Sequence, residues 1–327
     1  MLAWLPFADA DDLQARIGGL PDGVEFEPAT SGTELGASPD KVEFFVLPYL
    51  SGTAALDRID EFTSLQVVQT QTAGYEDVLA RIPDSVTLCN GAGIHDASTA
   101  EIAIALALAN GRHLDDFARN QTSGSWAPQW GTSIADKRVL ILGYGQIGKA
   151  IEARLAGFEV ASITRVARTP RDGVRPVSEL PELLPEADVV FVIAPHTPQT
   201  DKILDAAALA LLPDGALVVN VARGKLVDTD ALVAETSSGR LRAALDVTDP
   251  EPLPAGHPLW TIPGVTISPH IGGASSAFQP RADKLIKAQL TAWAAGEPLA
   301  HVVKEGHSVK EGNVVKEGHS VKEGTRR

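Results

Sequence analysis

Residues 139–148, Val-Leu-Ile-Leu-Gly-Tyr-Gly-Gln-Ile-Gly, constrain this fold more than any other stretch. An apolar run passes directly into Gly143, Gly145 and Gly148, and a helical pattern follows over 146–156. Strand, glycines and helix in that order make the first turn of a dinucleotide-binding βαβ unit. Gly143 suits the tight turn, and Gly145 lets a pyrophosphate approach the backbone. Gly148 lets helix and strand pack closely, while the helix start at Gln146 and Ile147 faces the phosphates.

Further short apolar runs fall at 42–47, 65–69, 86–88, 160–164, 189–193, 217–220, 243–246 and 265–268. Helical patterns separate most of them, including 99–110 and 229–238. Strands apolar on both faces, alternating with helices, predict parallel sheets covered by helices, an α/β fold. A length of 327 residues suggests about two domains. Ser98 and Glu101 read as a capping box opening a helix that is apolar all round, a candidate spine between the domains. Trp126 and Trp130 lie in an irregular stretch and serve either as loop anchors or as part of a subunit contact.

The net charge of −14 argues against a nucleic acid or an anionic membrane as partner. The single cysteine, Cys89, lies beside the apolar run 86–88 and reads as a buried, inert thiol in a reducing compartment. The amino terminus lacks the basic segment of a secretory signal, and the longest apolar run, 102–109, is too short to span a bilayer. A soluble cytoplasmic protein is expected. Residues 302–313 and 314–325 are near-identical repeats, VVKEGHSVKEGN and VVKEGHSVKEGT, poor in large apolar residues. They read as a mobile tail over 302–327. Its His307 and His319 lack partner ligands, so no metal site is expected.

Two clusters of polar residues fall where such sheets bind ligands, beyond the carboxyl ends of strands. After the run 160–164, the position of the acid that would bind a ribose 2′-OH is taken by Thr164, with Arg165 and Arg168 following. Without a carboxylate and with two guanidiniums, this end favours a 2′-phosphate, hence NADP(H) over NAD(H). The second cluster is Arg223 in VARGKLVDTDAL, Asp246 and Glu251 in ALDVTDPEPL, and His270 in ISPHIGG.

These segments, with PHTPQT at 195–200 and HPLW at 257–260, resemble the D-isomer-specific 2-hydroxyacid dehydrogenases. The resemblance is dense over residues 66–275 and thin over the first 60. It implies two Rossmann-like domains, with a doubly wound parallel-sheet nucleotide domain (96–274) inserted into a flavodoxin-like substrate domain (1–95 and 275–301). It also implies a homodimer. By the same resemblance, backbone amides of the loop 72–75, Ala73 and Gly74 among them, receive a substrate carboxylate. Arg223, Glu251 and His270 form the catalytic set, and Asp246 meets the nicotinamide carboxamide. Val221 and Ala222 line the cofactor, and His196 is not catalytic. No regulatory domain is expected after residue 301, unlike the serine-controlled phosphoglycerate dehydrogenases.

The residue chemistry agrees. His270 would pass a proton to a 2-oxo acid's carbonyl oxygen, Glu251 would orient it and stabilise its imidazolium form, and Arg223 would grip the carboxylate in a planar fork. The expected activity is hydride transfer between NAD(P)H and a small 2-oxo or 2-hydroxy acid such as glyoxylate or hydroxypyruvate. The rival reading is a nucleotide-sensing, corepressor-like binding protein on the same scaffold.

Overall fold

The computed structural model describes residues 1–307. The chain begins with β1 (Leu2–Leu5), α1 (Ala10–Ile17), β2 (Glu25–Pro28), β3 (Val42–Val46), β4 (Val67–Gln69), α2 (Glu76–Leu79) and β5 (Thr87–Cys89). Then come α3 (Asp96–Gly111), α4 (Leu114–Thr122), β6 (Arg138–Leu142), α5 (Gln146–Leu155), β7 (Ser162–Ala167) and β8 (Arg175–Pro176). They are followed by α6 (Leu180–Leu183), β9 (Val189–Val192), α7 (Ala206–Leu211), β10 (Leu217–Asn220) and α8 (Thr229–Ser237). The last elements are β11 (Arg242–Leu245), β12 (Val265–Ile267), α9 (Phe278–Ala295) and β13 (Val302–Lys304).

Two sheets result. The first runs β13-β5-β4-β3-β1-β2 and the second β12-β11-β10-β9-β6-β7-β8. Every pairing is parallel except that of β13 with β5. Parallel strands are joined by crossovers that cover both faces, which is why every residue of β9 and β10 is buried. In the second sheet the chain works outward from β6 in one direction and from β9 in the other. That reversal opens a crevice at the carboxyl ends of β6 and β9.

The first sheet takes chain from both ends of the sequence. After β12, α9 returns to pack beside α1, where Arg16 pairs with Asp283 at 2.7 Å. Gln289 of α9 donates to the side chain of Gln69 at 2.6 Å and to the carbonyl of Ala300 at 2.9 Å. These are buried polar groups with their hydrogen bonds made inside the core, so they fix how α9 seats.

Several elements differ from the sequence expectation. The amino-terminal segment enters the first sheet as β1, with Ala3, Trp4, Leu5 and Phe7 fully buried. The apolar helix starts at Asp96, two residues before Ser98. His95 precedes it with no capping side chain, and Ser98 donates back to the His95 carbonyl. Residues 302–304, assigned to the tail, form β13, and Lys304 donates to the Ile82 carbonyl at 2.8 Å. The remainder of the expected tail, from residue 308, with His319, lies outside the described residues.

Candidate active site

The glycine turn sits at the crevice. Gly143 has φ +107°, and a Cβ there would fall 2.4 Å from the Ala194 nitrogen. A Cβ on Gly148 would fall 2.5 Å from the Gly143 carbonyl, so both positions exclude side chains. Gly145, the N-cap of α5, has open space where its Cβ would be and supplies no capping side chain. The first-turn amides at Gln146 and Ile147 therefore keep their donor capacity for a ligand, as a dinucleotide pyrophosphate requires. Val221 and Ala222 follow β10 and are buried. Their amides donate to the Val192 carbonyl at 3.3 Å and to Asn220 Oδ1 at 3.1 Å.

The ribose end requires a correction. β7 continues past Thr164 to Ala167, and Thr164 lies inside the strand, in register with Leu140. Arg165 is held there by Glu152 of α5, its Nε donating at 2.7 Å. Tyr144, inside the glycine turn, also donates to Glu152. Neutralised in this way, an arginine can remain in a strand where the sequence reading took it for the strand's end. The residues beyond the true end are Arg168, which is exposed, and Arg171, which donates to the Tyr144 carbonyl and lies 5.6 Å from its ring. Arg171 was not among the expected site residues. Its signal was a third arginine in the same short run.

The carboxylate loop is shaped by its own carbonyls. Gly91 N–H donates to Thr72 O at 2.7 Å, Asn90 to Ala73 O at 2.8 Å, and the Thr72 hydroxyl to Gly74 O at 2.7 Å. The amides of Ala73 and Gly74 have no acceptor among the described residues. Two adjacent amides without an acceptor are donors that an anion can use. Arg223 reaches the same loop: a Cβ on Gly74 would collide with its guanidinium. Asn220 steadies the Arg223 segment, its Nδ2 donating to the Arg223 carbonyl at 2.9 Å. Glu76, at the start of α2, stands 3.8 Å from Arg223 and accepts the Tyr75 amide at 3.0 Å.

His270 and Glu251 meet, with Nδ1 2.5 Å from Oε1. Because the carboxylate only accepts, Nδ1 carries the proton of this bond, and Nε2 is the ring atom left for a substrate. His270 has φ +51°, a left-handed backbone uncommon outside glycine. Asp246 explains how the loop keeps that shape. The residue is 2 % exposed, and its carboxylate accepts from the Ser268 hydroxyl (2.6 Å), Ile271 N–H (2.9 Å) and Gly272 N–H (2.8 Å), while its carbonyl accepts the His270 amide (2.8 Å). Asp246, expected to meet the nicotinamide carboxamide, anchors the His270 loop in this structure. His196 bonds Asp201 at 2.8 Å, apart from this pair. No cluster of three metal-ligating side chains occurs among the described residues.

A doubly wound sheet with a glycine turn, two amides with no acceptor among the described residues, an arginine and a carboxylate-paired histidine defines a dinucleotide-dependent oxidoreductase. The family profile described as "D-isomer specific 2-hydroxyacid dehydrogenase, NAD binding domain" matches residues 104–272. The human glyoxylate reductase/hydroxypyruvate reductase is 34% identical over 218 residues, 63% of this chain and 66% of its own length. A glyoxylate reductase of Pyrococcus horikoshii is 32% identical over 249 residues, 71% of this chain and 74% of its own. An NADPH-dependent glyoxylate/hydroxypyruvate reductase of Sinorhizobium meliloti, solved with NADP and malonate, superposes with TM-score 0.74 at 26% identity, covering 92% of this chain and 96% of that one. The chain belongs to the D-isomer-specific 2-hydroxyacid dehydrogenases. It is an NAD(P)-dependent oxidoreductase.

Proposed function

We propose that this enzyme reduces a small 2-oxo acid, glyoxylate or hydroxypyruvate, with NADPH as its preferred cofactor. The observation that carries the reading is the His270–Glu251 pair at 2.5 Å, which leaves Nε2 free in the same molecule as the Ala73 and Gly74 amides and Arg223. These amides and Arg223 bind the substrate carboxylate and orient its carbonyl, and Arg223 stabilises charge developing on the carbonyl oxygen. His270 delivers a proton to that oxygen from Nε2 while Glu251 balances the imidazolium charge. The cofactor, when bound, supplies the hydride. The names of the human and Pyrococcus relatives favour glyoxylate and hydroxypyruvate over larger 2-oxo acids.

The NADPH preference rests on Arg168 and Arg171 beyond β7, in place of Thr164 and Arg165. Two guanidiniums there match a 2′-phosphate, and the Xanthobacter autotrophicus relative was solved with NADPH. Trp126 and Trp130, 97 % and 98 % exposed, favour the subunit-contact reading and hence a homodimer. No helix among the described residues is long and apolar enough to cross a membrane, and a cytoplasmic enzyme fits the buried, unpaired Cys89. The test is oxidation of NADPH and NADH by the purified protein with a panel of 2-oxo acids. Turnover of glyoxylate or hydroxypyruvate, faster with NADPH, is expected. Tight nucleotide binding without turnover of any 2-oxo acid would reject the reading in favour of a nucleotide sensor.

A further inference from the structure

His95 takes no part in the chemistry above, yet it lies where both halves of the site meet. It is the last residue before α3, where the chain leaves the first sheet, and it is 9 % exposed. Its Nε2 is 3.1 Å from the carbonyl of Gln71, the residue that leads into the loop 72–75. On the other side, a Cβ at Gly273 would fall 2.7 Å from His95 Nδ1 and 2.8 Å from the Tyr49 hydroxyl. The backbone just after His270-Ile271-Gly272 therefore runs directly against the imidazole.

The ring is also fixed in its own plane. Tyr49, after β3, stacks on Phe278, the first residue of α9, at 3.9 Å, and His95 stacks on Phe278 at 5.3 Å with 12° between planes. Three aromatic rings thus join the loop after β3, the start of α3 and the start of α9. The last two are the points where the chain passes between the sheets. A carbonyl can only accept, so Nε2 carries the proton of the Gln71 bond, and Nδ1 lies against the Gly273 backbone.

We infer that His95 is a positioning residue, holding the carboxylate-binding loop and the proton-donor loop at one spacing through its Gln71 bond and its contact with Gly273. An apolar ring could fill the same stack but could not bond the Gln71 carbonyl, so a simple packing role leaves the histidine unexplained. Burial lowers its proton affinity below that of an ordinary histidine, which keeps the neutral, single-donor form. The inference rests on the proposed roles of the loop 72–75 and of His270.

Two variants test it in the full-length enzyme. His95→Phe keeps the stack and removes the donor, while His95→Gln removes the ring and keeps an N–H of similar reach. With saturating NADPH and glyoxylate or hydroxypyruvate, His95→Phe is expected to raise KM and lower kcat, each about fivefold to tenfold. The NADPH Kd, read by nucleotide fluorescence, should stay within about twofold. His95→Gln should recover most of the loss in KM. Unchanged kinetics in His95→Phe, a parallel loss of NADPH affinity, or a Gln variant no better than Phe would overturn the inference. Amide hydrogen exchange gives a readout free of turnover. Faster exchange over residues 71–75 and 271–274 in His95→Phe, with β6 and β7 unchanged, is expected, and equal protection at both loops rejects the inference. An unmodified protein that turned over no 2-oxo acid would instead count against the proposed function.

Discussion

Two corners at the carboxyl edge of the nucleotide sheet look alike in sequence and differ in structure. Beyond β10, β11 and β12, the corner with Arg223 and His270 is shaped by side chains that bind backbone, and His270 keeps Nε2 without a partner among the described residues. Asp246 ties down the loop, Asn220 ties down the Arg223 segment, and the Ala73 and Gly74 amides have no acceptor among the described residues. Beyond β7, Arg165 is already bound by Glu152, and the Tyr144 hydroxyl joins the same carboxylate. A charged side chain near a site is a ligand group only if the fold has not already neutralised it.

The largest effect should come from the heart of the first corner. His270→Asn is expected to keep NADPH binding and lower kcat about 10²–10⁴-fold, the usual loss when a positioned acid is removed. Stopped-flow turnover near the unmodified rate would remove His270 from proton transfer. Next, Arg223→Lys should lower kcat/KM by about tenfold or more, because a point charge replaces the planar fork. Gly74→Ala should mimic it, since its Cβ displaces the flexible end of Arg223 and not backbone. The melting temperature should be preserved while KM rises, and a folding defect without a KM change would argue against the shared role.

At the ribose corner, replacing Arg168 and Arg171 with alanine should weaken NADPH about tenfold relative to NADH, as expected for lost charge-assisted bonds to a phosphate. Arg165→Ala should leave the NADPH/NADH ratio within about twofold, since that guanidinium is already bound to Glu152. A selective NADPH loss in Arg165→Ala would restore the simpler sequence reading. Smaller still, Glu76→Gln should lower KM for the 2-oxo acid about twofold to fivefold. Its carboxylate approaches Arg223 and takes the Tyr75 amide, donors that a substrate carboxylate would also use. A raised KM would make Glu76 a support for Arg223 and not a competitor. Least affected should be Cys89, whose thiol burial pushes up to about 11. Native protein at pH 8 should resist thiol reagents until unfolded.

That His270 and Glu251 would meet could be read from the sequence because both sit in short segments after strong apolar strands. Glycines such as Gly143 and Gly148 also announce the close approaches that require them. What sequence hid was pairing at a distance. Nothing near Arg165 in the chain reveals that Glu152, thirteen residues earlier, faces it across the helix–strand contact. The three donors that Asp246 accepts come from a loop more than twenty residues later, so its part in shaping that loop was hidden in the sequence. His95 gave no signal, because its partners at Gln71, Tyr49, Gly273 and Phe278 come from four separate segments. β1 was missed because a strand of four residues at a chain start resembles an unstructured terminus.

The antiparallel strand β13 covers what would otherwise be an open margin of the first sheet, a surface that invites other chains to add to it. Its sequence, Val302-Val303-Lys304, recurs as Val314-Val315-Lys316 in the duplicated segment. Excising residues 302–313 would therefore place an identical Val-Val-Lys-Glu-Gly directly after His301.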